Sequence, residues 1–183
     1  RNINPKKIFS NYAYKSGYSK IWVTHCQNFV NLIVKKIKLG KKSEILEIAS
    51  NDGTLLKQFK NKGYKNVLGV EPAKNLAFEA NKQKIKTLSC FLNTRNISLI
   101  LKNTKSPKLI VANNVIAHIP DINDFCFSLF KILHNDGVIT VEFHHLLKLI
   151  KYNAFDTIYH EHQFYHSAFT LKKIFEKHNL KVF

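Results

Sequence analysis

The chain has 183 residues, 45% of them apolar, with 14 phenylalanines, enough for one domain with a real core; a disordered or fibrous chain is excluded. Its apolar runs are short and its three cysteines are scattered, so neither a membrane-spanning helix nor a disulfide-stapled secreted scaffold is expected; no signal-peptide pattern opens it, and the reading is cytoplasmic. The formal net charge of +17 raises nucleic-acid binding, yet Arg1 and Arg95 are the only arginines among 29 basic residues, which fits a solvated lysine surface better than a phosphate-reading face.

In chain order, residues 1–18 are polar and aromatic, with Tyr12, Tyr14 and Tyr18 close to Ser16, Gly17 and Ser19. Over 19–38, apolar residues at Ile21, Trp22, Cys26, Phe29, Val30, Ile33, Val34 and Ile37 form one face of a long helix. Gly40 ends it, so 1–40 reads as a helical lead-in. Strands then alternate with helices. Strands are predicted at 45–49, 67–71, near 87–89, at 109–112 and at 138–143, and helices at 53–61, 73–83, 122–133 and 170–178. This alternation implies an α/β fold, a mostly parallel sheet with helices on both faces and its ligand outside the carboxyl ends of the strands. The chain contains no methionine, opens on Arg1, and closes on Leu180-Lys181-Val182-Phe183, which reads as the start of another strand. The expectation is a single domain over 1–183, truncated at the C-terminus and part of a longer protein.

The densest signal is Ile45-Leu46-Glu47-Ile48-Ala49-Ser50-Asn51-Asp52-Gly53-Thr54-Leu55-Leu56, followed by Val67-Leu68-Gly69-Val70-Glu71-Pro72. It reads as a buried strand, a tight turn of small residues and a helix start, then a second buried strand ending in a carboxylate. A nucleoside ligand needs such a loop and an acid where two ribose hydroxyls arrive. A dinucleotide site would want G-x-G-x-x-G to approach a pyrophosphate. Here the loop has one glycine, with Asn51 able to adopt the left-handed backbone, and the acids Glu47 and Asp52 would repel pyrophosphate. They suit a cofactor with a cationic amino-acid tail, S-adenosylmethionine. An ordinary strand–turn–helix is the plainer alternative.

Two later segments carry titratable groups after strands: 112–120, Ala-Asn-Asn-Val-Ile-Ala-His-Ile-Pro, and 155–166, Phe-Asp-Thr-Ile-Tyr-His-Glu-His-Gln-Phe-Tyr-His. In the second, Tyr159, Glu161 and His162 suit acid–base chemistry, because imidazole titrates near neutrality and a neighbouring phenol and carboxylate can orient it. A surface loop with satisfied histidines is the duller reading. A zinc-hydrolase H-E-x-x-H site fails because Phe164 does not match, so no metal is expected. His118 could equally cap the helix that starts near Asp121, Asn113 or Asn114 could satisfy strand-end backbone, and Tyr14 could pack on Trp22.

The runs E-I-A-S-N-D-G-T-L-L, G-V-E-P, A-N-N-V-I-A-H-I-P-D and F-D-T-I-Y-H-E-H, in this order over nearly the whole chain, resemble the S-adenosylmethionine-dependent C-methyltransferases that act on nucleotide-linked keto-deoxysugars. The resemblance implies a class I methyltransferase (Rossmann-like) core, flanked in complete members by an N-terminal zinc-binding module and a C-terminal domain. It implies His162 as base, Glu161 and Tyr159 as its neighbours in the same motif, His118 as the histidine of the H-I-P segment and Tyr14 on the substrate side, Tyr12 or Tyr18 being alternatives to Tyr14. It implies Glu47, Ala49, Asn51, Gly53, Glu71 and Asn114 as cofactor-binding positions. Members often carry Pro-Tyr where this chain has His144-His145. The implied reaction removes a proton from the carbon beside a ketone of a nucleotide-diphosphate keto-sugar and methylates the enolate, with Tyr159, His118 or Tyr14 as donors to its oxygen. The competing expectations are a methyltransferase acting on RNA or another small molecule, and a non-catalytic fragment that binds the cofactor.

Overall fold

The computed structural model describes Phe9 and residues 11–183. The parts of the predicted lead-in over 1–40 that fall on residues 1–8 and Ser10 lie outside the described residues. The rest of the lead-in is a short 3-10 turn at Ser16–Tyr18 and the helix α1 at Lys20–Lys36, started by Ser19, whose hydroxyl accepts the Trp22 amide. Beyond it come β1 at Ile45–Ile48, α2 at Thr54–Asn61, β2 at Val67–Val70, α3 at Lys74–Lys82 and β3 at Thr87–Leu88. The second half holds α4 at Ile97–Leu101, β4 at Leu109–Asn113, α5 at Ile122–Ile132, β5 at Val138–Glu142, α6 at Leu146–Lys151 and α7 at Ala168–Lys177.

All five strands are parallel, in the order β3-β2-β1-β4-β5. Side chains alternate along a strand, so β1, β2 and β4 each feed two cores. Ile45, Val67, Leu109 and Val111 face Cys26, Val30 and Ile33 of α1 and Leu55, Leu56 and Phe59 of α2. Leu46, Ile48, Leu68, Val70, Ile110 and Ala112 face α4, α5 and α7 through Ile100, Phe125, Leu129, Leu171 and Phe175. This near-continuous Val/Ile/Leu pattern is what a parallel sheet buried on both faces requires. The chain turns from building leftwards to building rightwards between β1 and β4, and the carboxyl ends of those two strands part there to leave a crevice.

Two short helices escaped prediction. α4 is a five-residue apolar run and α6 only six residues long, both too short to display a helical period. The strand start predicted at the end of the chain is not formed: the Leu180 amide folds back onto the Phe175 carbonyl at 3.0 Å, and residues 181–183 pair with no strand.

Gly69, in the middle of β2, matters to the site because it makes room for the turn after β1. A Cβ there would stand 2.4 Å from the Ser50 hydroxyl and 2.8 Å from that of Thr87. Gly69→Ala is expected to lower the unfolding free energy by about 1–3 kcal/mol, the usual cost of overpacking. A urea titration reads this as a lower midpoint at constant slope, and an unchanged midpoint would show that the turn yields freely.

Candidate active site

A single cavity of about 810 Å³ opens over the carboxyl ends of the strands. Glu47, Asn51, Glu71, Asn113 and Asn114 line it at the turns after β1, β2 and β4, and His118, Tyr159, Glu161 and His162 line it from the two later segments.

The turn after β1 has an unusual backbone. Ala49, Asn51 and Gly53 take φ of 55°, 52° and 80°, alternate residues in the left-handed region. An alanine there costs about 1–2 kcal/mol, so surrounding contacts must hold it. Glu71 supplies them. One carboxylate oxygen accepts the Asn51 amide and the other the Ala73 amide, both at 2.8 Å. Gly53 does not line the cavity; it starts α2, and a Cβ would press on Ile85 at 3.0 Å. Asp52 is also directed elsewhere. Its carboxylate accepts the Thr54 hydroxyl at 2.6 Å and the Gly17 amide at 2.9 Å, so it locks the turn rather than facing a ligand.

Several buried polar atoms lining the cavity have no partner among the described residues: Glu47 Oε2, Ser50 Oγ, and both the Oδ1 and Nδ2 of Asn113. Buried polar atoms without partners are costly, and these converge where a polar ligand would complete them. They are groups that could hold the amino-acid end of S-adenosylmethionine, and the Glu71 carboxylate could accept its ribose hydroxyls. From the sequence, Asn113 is named only as a group that could satisfy strand-end backbone, not as a cofactor position. Asn114 is named as one, and it lines the cavity with φ of 52°, but its side-chain amide is spent on Glu142 Oε1 at 3.3 Å. The other oxygen of that carboxylate pairs with His25 of α1 at 2.7 Å.

At the other end, His162 is 92% buried, being 8% exposed. Its Nδ1–H donates to the Thr157 carbonyl at 2.8 Å, which leaves the lone pair on Nε2, where the Tyr159 hydroxyl donates at 2.9 Å. The His118 Nδ1–H donates to the Glu161 carbonyl at 3.0 Å, and its ring packs 4.8 Å from that of His162. Helix α5 is capped by Asp121, not by His118. Burial lowers the pKa of both imidazoles below the usual histidine value, and the backbone carbonyls only partly reverse it, so both are neutral at pH 7.

The lead-in closes the remaining side. Tyr12 and Asn75 of α3 exchange backbone and side-chain bonds at 3.0 and 2.8 Å, and the Tyr12 hydroxyl donates to Glu161 at 2.9 Å. Burial, with the Glu161 carboxylate beside it, pushes the Tyr12 phenol well above its usual value. Tyr14 also lines the cavity, but its ring is 54% exposed and its contact with the turn runs through its carbonyl, which accepts from Asn51 at 3.1 Å. Tyr18 is 80% exposed. Of the three tyrosines the sequence offered, Tyr12 reaches the histidine segment. His144, whose role the sequence left open, lines the cavity with its ring 5.5 Å from His162. His145 instead caps α6.

Burial raises the pKa of Glu47 well above the ordinary carboxylate value, and the charges of Glu71 and Asp52 add to the rise. A pKa raised by folding means stability that is complete below the unfolded value and is lost as pH climbs through the folded one. The protein is therefore expected to lose stability from about pH 4.5 upward. Glu47→Gln removes this loss in part and is more stable than the unaltered protein at pH 8; equal pH slopes in chemical denaturation would refute the assignment.

The family described as Methyltransferase domain matches residues 23–183. The C-methyltransferase NovU of Streptomyces niveus is 34% identical over 180 residues, 98% of this chain. The chain spans 43% of that relative's length. Among solved structures, the YcgJ protein of Bacillus subtilis superposes with a TM-score of 0.65 at 15% identity, over 85% of this chain and 68% of that one. An S-adenosylmethionine-dependent methyltransferase of Clostridium acetobutylicum superposes with a TM-score of 0.59 at 17% identity, over 71% and 54% of the two chains. The sheet is that of the class I methyltransferase fold; the chain belongs to the methyltransferase-domain family, and its cofactor is S-adenosylmethionine.

Proposed function

We propose that this chain methylates a carbon beside the ketone of a nucleotide-linked keto-deoxysugar, through an enolate generated by His162. The observation that carries this reading is the continuity of the cavity: the turn fitted to the cofactor and the His162–Tyr159 pair face one space. The C-methylating relative adds support.

The cofactor supplies a methyl group on a sulfonium, an electrophile that needs no metal but does need a carbanion equivalent. His162 provides for the second requirement. A carbon beside a carbonyl loses its proton to the Tyr159 oxygen while the Tyr159 proton passes to His162 Nε2, which leaves an imidazolium and an intact phenol. Thr157 holds the ring in the tautomer that keeps Nε2 basic, and burial keeps it unprotonated at neutral pH. Glu161, anchored by Tyr12, sits where it steadies the positive ring.

The lining favours a neutral ring over a phosphate. Among the described lining residues there is no Lys or Arg, while Glu47, Glu71, Asp121, Asp124 and Glu161 are acids. The sugar enters the cavity in this reading, and the diphosphate stays outside on the lysine-rich surface. The single domain belongs to a longer cytoplasmic protein whose flanking zinc-binding and C-terminal domains complete the substrate site. Among the described residues no helix is long and apolar enough to cross a membrane.

His162→Asn is expected to lower turnover by about 10²–10⁴-fold while leaving cofactor affinity nearly unchanged; a variant of undiminished rate would remove His162 from the mechanism. Because its pKa is lowered, the acid limb of kcat/KM should fall below the usual imidazole value. Glu71→Ala should weaken cofactor binding by about 10–10²-fold, the worth of charged hydrogen bonds, and unchanged calorimetric affinity would exclude the ribose role.

A further inference from the structure

An enolate needs a hydrogen-bond donor for its oxygen, and the groups around His162 can be checked one by one. The Tyr159 hydroxyl is given to His162, the Tyr12 hydroxyl to Glu161, the His118 Nδ1–H to the Glu161 carbonyl and the His162 Nδ1–H to the Thr157 carbonyl. In neutral His118 the remaining nitrogen is an acceptor only. Every donor named from the sequence at this end, Tyr14 aside, is committed before a substrate arrives.

His144 is not. It follows β5, lines the same cavity with its ring 5.5 Å from that of His162, and makes no hydrogen bond among the described residues. Any neutral imidazole keeps one N–H. Resting on the enolate reading above, we propose that His144 is a catalytic residue of this site, donating its N–H to the ketone oxygen and holding that oxygen as negative charge builds on it. In the step, the C–H bond breaks and its proton replaces the one Tyr159 gives to His162. The C–H electron pair becomes the new C=C bond, and the carbonyl π pair moves onto the oxygen that His144 faces. Tyr14, the other phenol lining the cavity without a hydroxyl partner among the described residues, is tied to the turn after β1 through its carbonyl, whereas His144 has its ring against that of His162, so Tyr14 is the weaker donor.

The test is proton exchange at the carbon beside the ketone of thymidine-diphosphate-linked keto-deoxyglucose in heavy water, followed by NMR without cofactor, together with methyl transfer. His144→Phe should slow both by about 10- to 100-fold, less than the usual loss for an oxyanion donor because His144 is exposed. Cofactor affinity should stay unchanged, which also verifies folding, and His144→Gln, which keeps an N–H, should recover most of the loss. Exchange by His144→Phe at the unaltered rate, or a loss found with Tyr14→Phe instead, overturns this assignment alone. No exchange above buffer background by the unaltered protein overturns the enolate reading, and His144 falls with it.

Discussion

The two hydrogen bonds accepted by Glu71 hold the arrangement together. A carboxylate buried at the end of β2 loses hydration, and burial accordingly lifts its pKa, but the Asn51 and Ala73 amides return part of that loss. In exchange the turn after β1 is held in a backbone it would not adopt alone. Asn51, so fixed, presents its side chain to the lead-in: its oxygen accepts the Ser16 amide and its nitrogen donates to the Tyr14 carbonyl. The lead-in in turn carries Tyr12 to Glu161, whose carbonyl accepts from His118. The turn after β1 and the histidine segment are thereby joined through the lead-in, although they lie far apart in sequence.

The fold was legible because each strand is a short run of Val, Ile and Leu and each long helix shows its period. The turn after β1 was legible as a candidate cofactor loop because an acid, an alanine, an asparagine and a glycine stood at alternate positions from the strand onward, and another acid closed the next strand. What escaped was orientation. Asn113 and Asn114 are equivalent as letters; only the left-handed backbone at Asn114 and the reach of Glu142 divert the second amide and leave the first unpartnered. Tyr12 and Tyr14 stand two residues apart in a segment without regular structure, so no periodicity separates them. The distinction comes from Asn75, distant in sequence, which clasps Tyr12 by its backbone. Asp52 reads as a ligand-facing acid in sequence and is a turn lock in space, because Thr54 and Gly17 both reach it.

Charge is distributed unevenly in a way that composition conceals. A chain of net charge +17 has no lysine or arginine among the described residues that line this cavity, and five acids are among them. Glu47, unpaired at one oxygen, feels this crowding: burial, and then the charges of Glu71 and Asp52, raise its pKa well above the ordinary carboxylate value.

The three rings of His118, His144 and His162 also limit what this wall can store. His162 lies within 5.5 Å of both of the others, and each neighbour's charge would lower its readiness to take a second. In the enolate reading proposed above, this wall is where the hydrogen ion taken from carbon comes to rest, and the closeness of His118 to His162 favours its release to solvent before the next molecule is served.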